Sequence, residues 1–415
     1  MEATTAAVGA PVARGRARGR RTKALGALFA GAALVLVTAC GGGDSGGSGD
    51  GKGGGSDKAD NAPSQAVVTI SPKDGAGDVA TDGALKVSAE QGKLTEVVVE
   101  DGKGNEVEGK IAGDGANWTP VRHLAASTKY RVHAVAKDSS GRESAKEATF
   151  TTLSPENTFV GIFTPEDGSK VGVGMPFSVH FTRGITDPAA VEKAIEIKTE
   201  PEVPVEGHWF GNDRLDFRPE KYWEAGTKVS VKLNLDGVEG RPGVYGEQVK
   251  TVNFEIGRSQ VSVVDAKTHK MKVERDGKLI RTIPITAGAP ATTTYNGQMV
   301  ISEKLKVTRM NGDTVGFGGE YDIKDVPHAM RLSTSGTFIH GNYWAPNAPG
   351  NENVSHGCVG LKDVRGAGDK KQPAAWFFDN SLLGDVVVVK NSKDKQIQPD
   401  NGLNGWNMSW EKWKA

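Results

Sequence analysis

A repeated turn constrains the fold of this chain more than any other feature of its sequence. The hexapeptide ISPKDG at 70–75 returns as FTPEDG at 163–168, 93 residues later. Each copy belongs to a unit that closes on a strand-like segment, ATFTT in the first and VNFEI in the second. A period of about 90–100 residues, built from short strands and Pro/Asp/Gly turns, is typical of tandem immunoglobulin-like β-sandwiches. We therefore predict one sandwich at residues 66–153 and a second at 154–256.

Alternating apolar and polar residues dominate the segments between the turns. In KVSVKLNL at 228–235 the valines and leucines fall on one face, which is the period-2 pattern of a half-buried strand. Apolar runs with helical spacing are scarce, and glycine is abundant at 55 of 415 residues. These patterns predict an all-β (mainly β) protein. Because a chain of this length exceeds one ordinary core, we also expect several domains.

The N-terminal region has the composition of an export signal followed by a spacer. Six basic residues between Arg14 and Lys23 precede the apolar stretch ALGALFAGAALVLV, which is too short to span a membrane comfortably. The next residues are VTAC, and small residues before Cys40 resemble a bacterial lipobox, where the cysteine sulfur is acylated. We expect a lipoprotein signal peptide at 1–39 and a lipidated Cys40 that opens a disordered Gly/Ser linker at 40–65. An ordinary signal peptide with an incidental cysteine is the alternative.

The charge balance argues against one class of partner. Lys plus Arg and Asp plus Glu both number 51, so the formal net charge is zero. Such a chain offers no electrostatic reason to bind nucleic acid. The N-terminal features predict instead a membrane contact through the lipid anchor.

The third region, residues 257–392, places a cysteine near two histidines. Cys358 is one of only two cysteines, and lipidation of the other would leave it without a disulfide partner. A cysteine attacks a carbonyl only as the thiolate, so it needs a base or a cation nearby. His340 ends the apolar strand GTFIH and can approach across a loop rich in Pro, Gly and Asn, whereas His356 lies two residues before the cysteine. Gly357 suits a tight backbone that aims N–H groups at one point, as an oxyanion hole requires.

This pairing predicts an acidic thiol, but other interpretations of the same residues remain open. With His340 as its base, Cys358 is expected to ionise below the free-thiol pKa of about 8.5. A lone cysteine can also be a small buried hydrophobe. Cys358, His356, His340 and His328 could alternatively supply four zinc ligands.

The motifs IHG at 339–341 and SHGCVGL at 355–361 resemble the His…[Ser/Thr]-His-Gly-Cys motif of L,D-transpeptidases, whose catalytic domain is of the YkuD type. The tandem immunoglobulin-like units and the Trp-rich C-terminus resemble actinobacterial lipoprotein members. The resemblance implies that Cys358 is the nucleophile. It implies that His340 is the base, held by a backbone carbonyl near Gly341.

Further roles follow from the same resemblance. His356, Gly357 and Cys358 match the segment whose backbone N–H groups stabilise the oxyanion, and Ser355 and Gly341 match residues that line the site. Trp344 and Tyr343 are the expected substrate contacts, with core packing as the alternative. Gly360 departs from the family pattern, because many relatives carry Asn or Arg there.

The implied activity is peptidoglycan cross-linking at the extracytoplasmic face of the plasma membrane, facing the cell wall. A tetrapeptide donor stem would form a thioester on Cys358 and release D-Ala, and a side-chain amine of a second stem would accept the acyl group, giving a 3→3 link. No cofactor and no metal is expected, and carbapenem β-lactams are expected to acylate the cysteine. The alternatives are an L,D-carboxypeptidase that uses the same site, and a non-catalytic wall-binding lipoprotein.

Two expectations concern the C-terminal part of the chain. One short helix is predicted near KQPAAWFFDNSLL at 371–383. The tail at 393–415 carries Trp406, Trp410 and Trp413, which we expect to pack on the catalytic domain because three exposed indoles would aggregate. We also expect the fragment 257–415 to fold by itself.

Overall fold

A computed structural model describes residues 62–315 and 318–415. The predicted signal peptide, Cys40 and most of the predicted linker lie outside these described residues. None of the described helices is long and apolar enough to cross a membrane. The mainly β prediction is confirmed, since the described residues form many strands in several sheets and only a few short helices.

The first sandwich encloses a core between two four-stranded sheets. Its strands are β1 Val67–Ser71, β2 Ala76–Val79, β3 Lys86–Glu90, β4 Lys93–Asp101, β5 Gly109–Ile111, β6 Asn117–Pro120, β7 Lys129–Lys137 and β8 Glu143–Thr152. The sheets have the orders β1-β3-β6-β5 and β2-β8-β7-β4. Alternate residues point inward, as the VVTIS strand shows with Val68 and Ile70 buried and their neighbours exposed. Trp118 from one sheet and Phe150 from the other lie in the same core.

The second sandwich contains eleven strands and one short helix. Its elements are β9 Asn157–Phe159, β10 Gly161–Thr164, β11 Ser169–Val171, β12 Phe177–Phe181, α1 Pro188–Lys193, β13 Ile195–Glu200, β14 Glu206–Phe210, β15 Arg214–Arg218, β16 Lys228–Asn234, β17 Glu239–Arg241, β18 Val244–Gly246 and β19 Val249–Ile256. The main sheets have the orders β10-β12-β15-β14 and β11-β19-β16-β13, and β17-β18-β9 form a smaller one.

The sequence repeat reappears as the same turn in both sandwiches. Asp74 accepts a hydrogen bond from the Thr149 N–H at 2.7 Å, and Asp167 accepts one from the Asn253 N–H at 2.8 Å. The following glycine has φ +75° in both copies, a conformation that favours glycine. The repeated Asp-Gly pair therefore ties the first turn of each unit to its last strand.

The third region is built on one nine-stranded sheet. Its elements are β20 Gln260–Asp265, β21 Lys270–Arg275, β22 Lys278–Thr286, β23 Gly297–Val300, β24 Glu303–Asn311, β25 Asp322–Arg331, β26 Phe338–Asn342, β27 Val359–Lys362, α2 Pro373–Asp379 and β28 Val386–Lys390, with 3-10 turns at Gly312–Val315 and Arg365–Ala367. The strand order is β23-β28-β20-β21-β22-β27-β26-β25-β24. The helix expected near 371–383 is α2, which begins at a proline and packs Phe377 into the core.

The C-terminal tail contacts the edge of this sheet through two asparagines. Asn404 and Asn407 each accept a hydrogen bond at 2.9 Å from a backbone N–H of β23, those of Val300 and Gln298. A 3-10 turn at Gly405–Asn407 and a short helix, α3 Trp410–Trp413, complete the tail.

The indoles of the tail lie mainly on the second sandwich, a contact that the sequence analysis did not predict. The Arg218 guanidinium, at the end of β15, lies over the rings of Trp406, Trp410 and Trp413 at 4.7, 5.3 and 4.2 Å. Trp406 also donates to the Gly174 carbonyl at 2.8 Å. Cation–π contacts of this kind are strong when the cation is buried, as Arg218 is.

The second sandwich and the third region share one hydrophobic core. Val300, Val386, Leu403 and Trp406 belong to the same buried cluster as the inward-facing residues of the second sandwich. The expectation that 257–415 folds alone does not fit this arrangement, because that fragment would expose part of a shared core.

Candidate active site

Two adjacent parallel strands bring His340 and Cys358 to one face of the sheet. In the register of β26 and β27, His340 lies opposite Gly360. Cys358 comes two residues before Gly360, and in an extended segment residues two apart point the same way. His340 and Cys358 therefore face the same side, and both line a cleft of about 370 Å³. The neighbouring β24–β25 hairpin contributes Met310, Tyr321 and Ile323 to the lining.

The environment of His340 selects one tautomer of the ring. Its Nδ1 lies 3.0 Å from the Gly341 carbonyl, which can only accept, so Nδ1 carries the hydrogen. Burial lowers the pKa of His340 below its ordinary value of 6.5, and the bond to Gly341 offsets this only in part. A neutral ring protonated at Nδ1 keeps a lone pair on Nε2. The geometry therefore prepares His340 to accept a proton at neutral pH.

Trp344 covers the imidazole. The two rings are stacked, with centroids 5.4 Å apart and an interplanar angle of 21°. The indole is 41% exposed and lines the cleft, so it is available to a ligand as well. An indole face next to the ring favours the cationic form of a histidine when that form is produced.

The Cys358 thiol is buried and un-ionised at neutral pH. Burial raises the pKa of the thiol to about 11, although the Phe338 backbone N–H bonded to the sulfur opposes the shift. The sulfur also lies 3.6 Å from the Gly336 carbonyl. The expected thiol pKa below about 8.5 is therefore wrong for this state of the site. The sequence pattern placed a base near the cysteine but carried no information on its desolvation.

The Ser355–Cys358 segment is a turn closed by the serine hydroxyl. Ser355 Oγ donates to the Cys358 carbonyl at 2.6 Å and accepts from the Gly357 N–H at 3.2 Å. Gly357 has φ +106°, which a side chain would strain. Because the Gly357 N–H is bonded to Ser355, the expectation that it donates to an oxyanion does not fit this geometry. Ser355 fixes the turn that aims Cys358 into the cleft.

Residues that the sequence analysis missed hold this turn from the other side. The Thr292 hydroxyl and the Ala289 N–H both donate to the Ser355 carbonyl at 2.8 Å. Asn353 accepts from the Ala287 N–H at 2.8 Å, just before the turn. These contacts join positions more than 60 residues apart, so no local spacing could reveal them.

His356 lies in the cleft lining and is partly exposed. Its Nε2 is 3.5 Å from Glu320, and its ring is 4.9 Å from that of Tyr321 on the β24–β25 hairpin. Burial raises the pKa of Tyr321 to about 12, with a smaller contribution from the nearby Cys358. His356 therefore links the Ser355–Cys358 turn to the β24–β25 hairpin, which lines the cleft.

Tyr343, expected to contact substrate, is directed elsewhere. Its hydroxyl donates to the Lys324 carbonyl at 2.7 Å, and it is absent from the cleft lining. Its ring meets Trp344 edge-on at 5.1 Å. Tyr343 therefore supports Trp344 and anchors its loop to β25, while Trp344 itself faces the cleft.

The zinc interpretation finds no support among residues 62–315 and 318–415. They contain no group of three His, Cys, Asp or Glu side chains arranged to hold a metal ion. His328, one of the four proposed ligands, instead bonds to Asp363 at 2.7 Å.

The family departure at Gly360 has a steric explanation. A Cβ at this position would lie 2.8 Å from Thr286 Cγ2 and 3.3 Å from Asn342 Cβ, both on strands that flank β27. We expect Gly360→Asn to destabilise the protein by about 1–3 kcal/mol, because overpacking forces neighbouring groups to move. Thermal unfolding measures this loss. Gly368→Asn is the matched control, since a Cβ there meets nothing within 4 Å. Equal melting temperatures for the two variants would contradict the prediction.

Comparisons with known proteins agree with the mainly β fold and identify the family. Residues 259–389 match the L,D-transpeptidase catalytic domain family, and residues 76–239 match the bacterial Ig domain family. L,D-transpeptidase 2 of Mycobacterium tuberculosis (strain CDC 1551 / Oshkosh) is 32% identical over 98% of this chain and 98% of its own length. L,D-transpeptidase 5 of Mycobacterium tuberculosis (strain ATCC 25618 / H37Rv) is 30% identical over 83% of this chain and 76% of its own. The solved structure of the LD transpeptidase LdtMt1 in complex with imipenem is 30% identical, covers 57% of this chain and 100% of that chain, and has a TM-score of 0.47.

The immunoglobulin-like units and the nine-stranded sheet define a multidomain protein that carries an L,D-transpeptidase catalytic domain. Because the similarity extends over nearly the full length of both chains, this chain belongs to the L,D-transpeptidase family.

Proposed function

We propose that this protein forms 3→3 peptidoglycan cross-links through a thioester on Cys358. The observation that carries the proposal is the arrangement of His340, which is neutral, protonated at Nδ1 and directed into the same cleft as the thiol. The cleft is lined mainly by apolar and aromatic side chains, which suits exclusion of water from an acyl-enzyme.

The first step transfers the donor acyl group to the cysteine. His340 Nε2 takes the thiol proton as the Cys358 sulfur attacks the carbonyl on the L-centre of the diamino acid in a tetrapeptide stem. A C–S bond forms, and the carbonyl oxygen becomes an oxyanion. We assign the Cys358 backbone N–H as the donor to this oxyanion, since Ser355 occupies the Gly357 N–H. The imidazolium then gives its proton to the departing D-Ala nitrogen as the C–N bond breaks.

The second step returns the enzyme to its resting state. A side-chain amine of a second stem attacks the thioester carbonyl, and His340 removes one proton from the attacking nitrogen. The C–S bond breaks, and the proton returns to the sulfur. The product is an amide between two stems, and the two steps require no external oxidant, reductant or cofactor.

Because His340 and Cys358 are both neutral at rest, charges on the two groups must be stabilised in the transition state. Proton transfer creates an imidazolium and a charged sulfur in a buried site, and both are disfavoured there. The Gly341 carbonyl and the face of Trp344 are the groups that contact the imidazolium. We propose that the indole stabilises this cation, so that charge develops during attack rather than before it.

A β-lactam gives the direct test of the cleft. By family membership, we propose that a carbapenem acylates Cys358 as the donor stem would. The experiment is the intact mass of the protein after incubation with a carbapenem, followed by peptide mapping of the adduct. An adduct on Cys358 supports the proposal, and an unmodified protein under conditions where it is folded contradicts it.

The pH dependence of that acylation follows from the two pKa shifts. The reaction needs neutral His340, so its rate is expected to fall only as pH drops below 6.5, where the ring takes up a proton. The thiol holds its proton until about pH 11, so no basic limb is expected between pH 7 and pH 10. Stopped-flow acylation across pH 5–10 measures the profile. An acid limb centred above pH 7 would contradict the neutral-pair account.

The location of the protein is a separate proposal. We propose that the mature chain begins at lipidated Cys40 and lies at the extracytoplasmic face of the plasma membrane, facing the wall. The VTAC sequence before a Gly-rich spacer supports this. Cys40→Ala is expected to move most of the protein out of the membrane fraction or to block its processing. Unchanged fractionation of the variant would contradict lipidation.

A further inference from the structure

A buried histidine–aspartate pair lies behind the base and is used by no step above. His328 Nδ1 donates to Asp363 Oδ2 at 2.7 Å, and the two side chains are 5% and 0% exposed. The pair joins the middle of β25 to the residue after β27, across 35 positions of sequence. Buried pairs of this kind contribute little net stability compared with apolar packing, so their presence raises the question of a second role.

The same carboxylate oxygen sits against the peptide that holds His340. A Cβ on Gly341 would lie 2.4 Å from Asp363 Oδ2 and 2.6 Å from Pro327 Cγ. Asp363 thus fills the space that a side chain at 341 would need. The Gly341 carbonyl is the acceptor for His340 Nδ1 at 3.0 Å. His328, Asp363, Gly341 and His340 are therefore consecutive neighbours, joined by hydrogen bonds at both ends and by close packing of Asp363 on Gly341 between them.

The backbone at His328 is strained in a way that favours a positioning role. His328 has φ +51°, in the left-handed region, although it lies inside a strand. Strain of this kind persists where the surroundings fix it, and it concentrates at functional sites. Its imidazole packs on the Phe378 ring of α2 at 5.2 Å, and the Val364 N–H holds the second oxygen of Asp363 at 2.8 Å. Both members of the pair are therefore fixed from two sides.

We propose that His328 and Asp363 are positioning residues that set the Gly341 peptide, and through it the tautomer and ring orientation of His340. This inference rests on the proposed function of the cleft. Loss of the pair would let the Gly341 carbonyl rotate away from Nδ1. The hydrogen would then distribute between both ring nitrogens, and only part of the molecules would present a basic Nε2 to the thiol.

The test compares Asp363→Asn with a matched change at a remote buried carboxylate. Asp385→Asn is the control, because Asp385 is equally buried and bonds to Arg258 at 2.6 Å, away from the cleft lining. The measurements, on the purified full-length chain, are melting temperature, the rate of Cys358 acylation by a carbapenem, and the ¹⁵N signals that report the His340 tautomer. Both variants are expected to melt earlier. Only Asp363→Asn is expected to slow acylation, by about 10–100-fold, and to shift the tautomer signals.

A second variant keeps the proposal open to refutation if Asp363→Asn fails to fold. His328→Gln retains the carboxylate and removes only the ring that orients it, and it is expected to slow acylation in the same direction. Acylation within about twofold of wild type in a folded variant, with unchanged tautomer signals, would show that the pair only joins β25 to β27. Wild-type protein that is not acylated at Cys358 would instead refute the proposed function, so the two failures are distinguishable.

Discussion

Cys358→Ala is expected to abolish acyl transfer, with a loss of at least about 10⁴-fold in turnover. Two hydroxyls of the cleft lining already form hydrogen bonds with the backbone. Ser355 donates to the Cys358 carbonyl, and the Thr286 hydroxyl accepts from the Val354 N–H. Mass spectrometry of a carbapenem-treated sample and product analysis with a tetrapeptide donor both measure the loss. Retained turnover in the alanine variant would place the nucleophile elsewhere.

The two histidines provide the matched comparison for the same experiment. His340→Gln removes the proposed base and is expected to lower turnover by about 10²–10⁴-fold, the usual contribution of a positioned proton acceptor. His356→Gln changes a ring at the rim of the cleft that contacts Glu320 and Tyr321, so a loss of less than about tenfold is expected. Equal losses in the two variants would contradict the assignment of His340 as the base.

The fragment 257–415 is expected to be unfolded or aggregated, whereas 154–415 is expected to fold and to be acylated. The shorter fragment lacks the partners of Trp406 and Trp413, which are 8% and 1% exposed in the intact chain. Stripping the partners from a buried indole costs on the order of 3–5 kcal/mol, and two such losses approach the whole stability of a domain. Near-UV circular dichroism and thermal unfolding distinguish the outcomes.

Removal of the first sandwich is the control for this truncation. That sandwich has its own core, and it meets the second one through contacts such as the Thr81 hydroxyl to the Gly237 carbonyl at 2.6 Å. Its loss should therefore leave the shared core intact. A cooperative melting transition in 257–415, at a temperature close to that of 154–415, would contradict the account of the shared core.

Local patterns predicted the elements, and the long-range contacts were not visible in them. The alternation in KVSVKLNL and the repeated Asp-Gly turns predicted the sandwiches, because strands and turns depend on neighbouring residues. The motif spacing gave the pair His340 and Cys358 as candidates. Arg218, which lies over the indoles, bonds to carbonyls 187 and 190 positions away, and no periodicity in the sequence records such a contact.

The pKa values of the cleft residues could not be predicted from the sequence either. Whether a nearby histidine lowers a thiol pKa depends on how deeply both groups are buried, and here burial raises the pKa of Cys358 to about 11. Likewise, Gly357 is a permissive residue in the sequence, but only the hydroxyl of Ser355 shows that its N–H is already engaged. In the mechanism that we propose, the proton therefore leaves the thiol during attack, and no thiolate forms beforehand.

The central claim is that the acyl group of a donor stem passes through Cys358 to an amine. Its most direct measurement is mass spectrometry of the full chain and its products after mixing with a disaccharide tetrapeptide. The account predicts an adduct on Cys358 equal to the donor stem without D-Ala, followed by a dimer joined between the two diamino acids. A free tripeptide as the sole product would identify the protein as a hydrolase, and a dimer formed equally by Cys358→Ala would contradict the thioester.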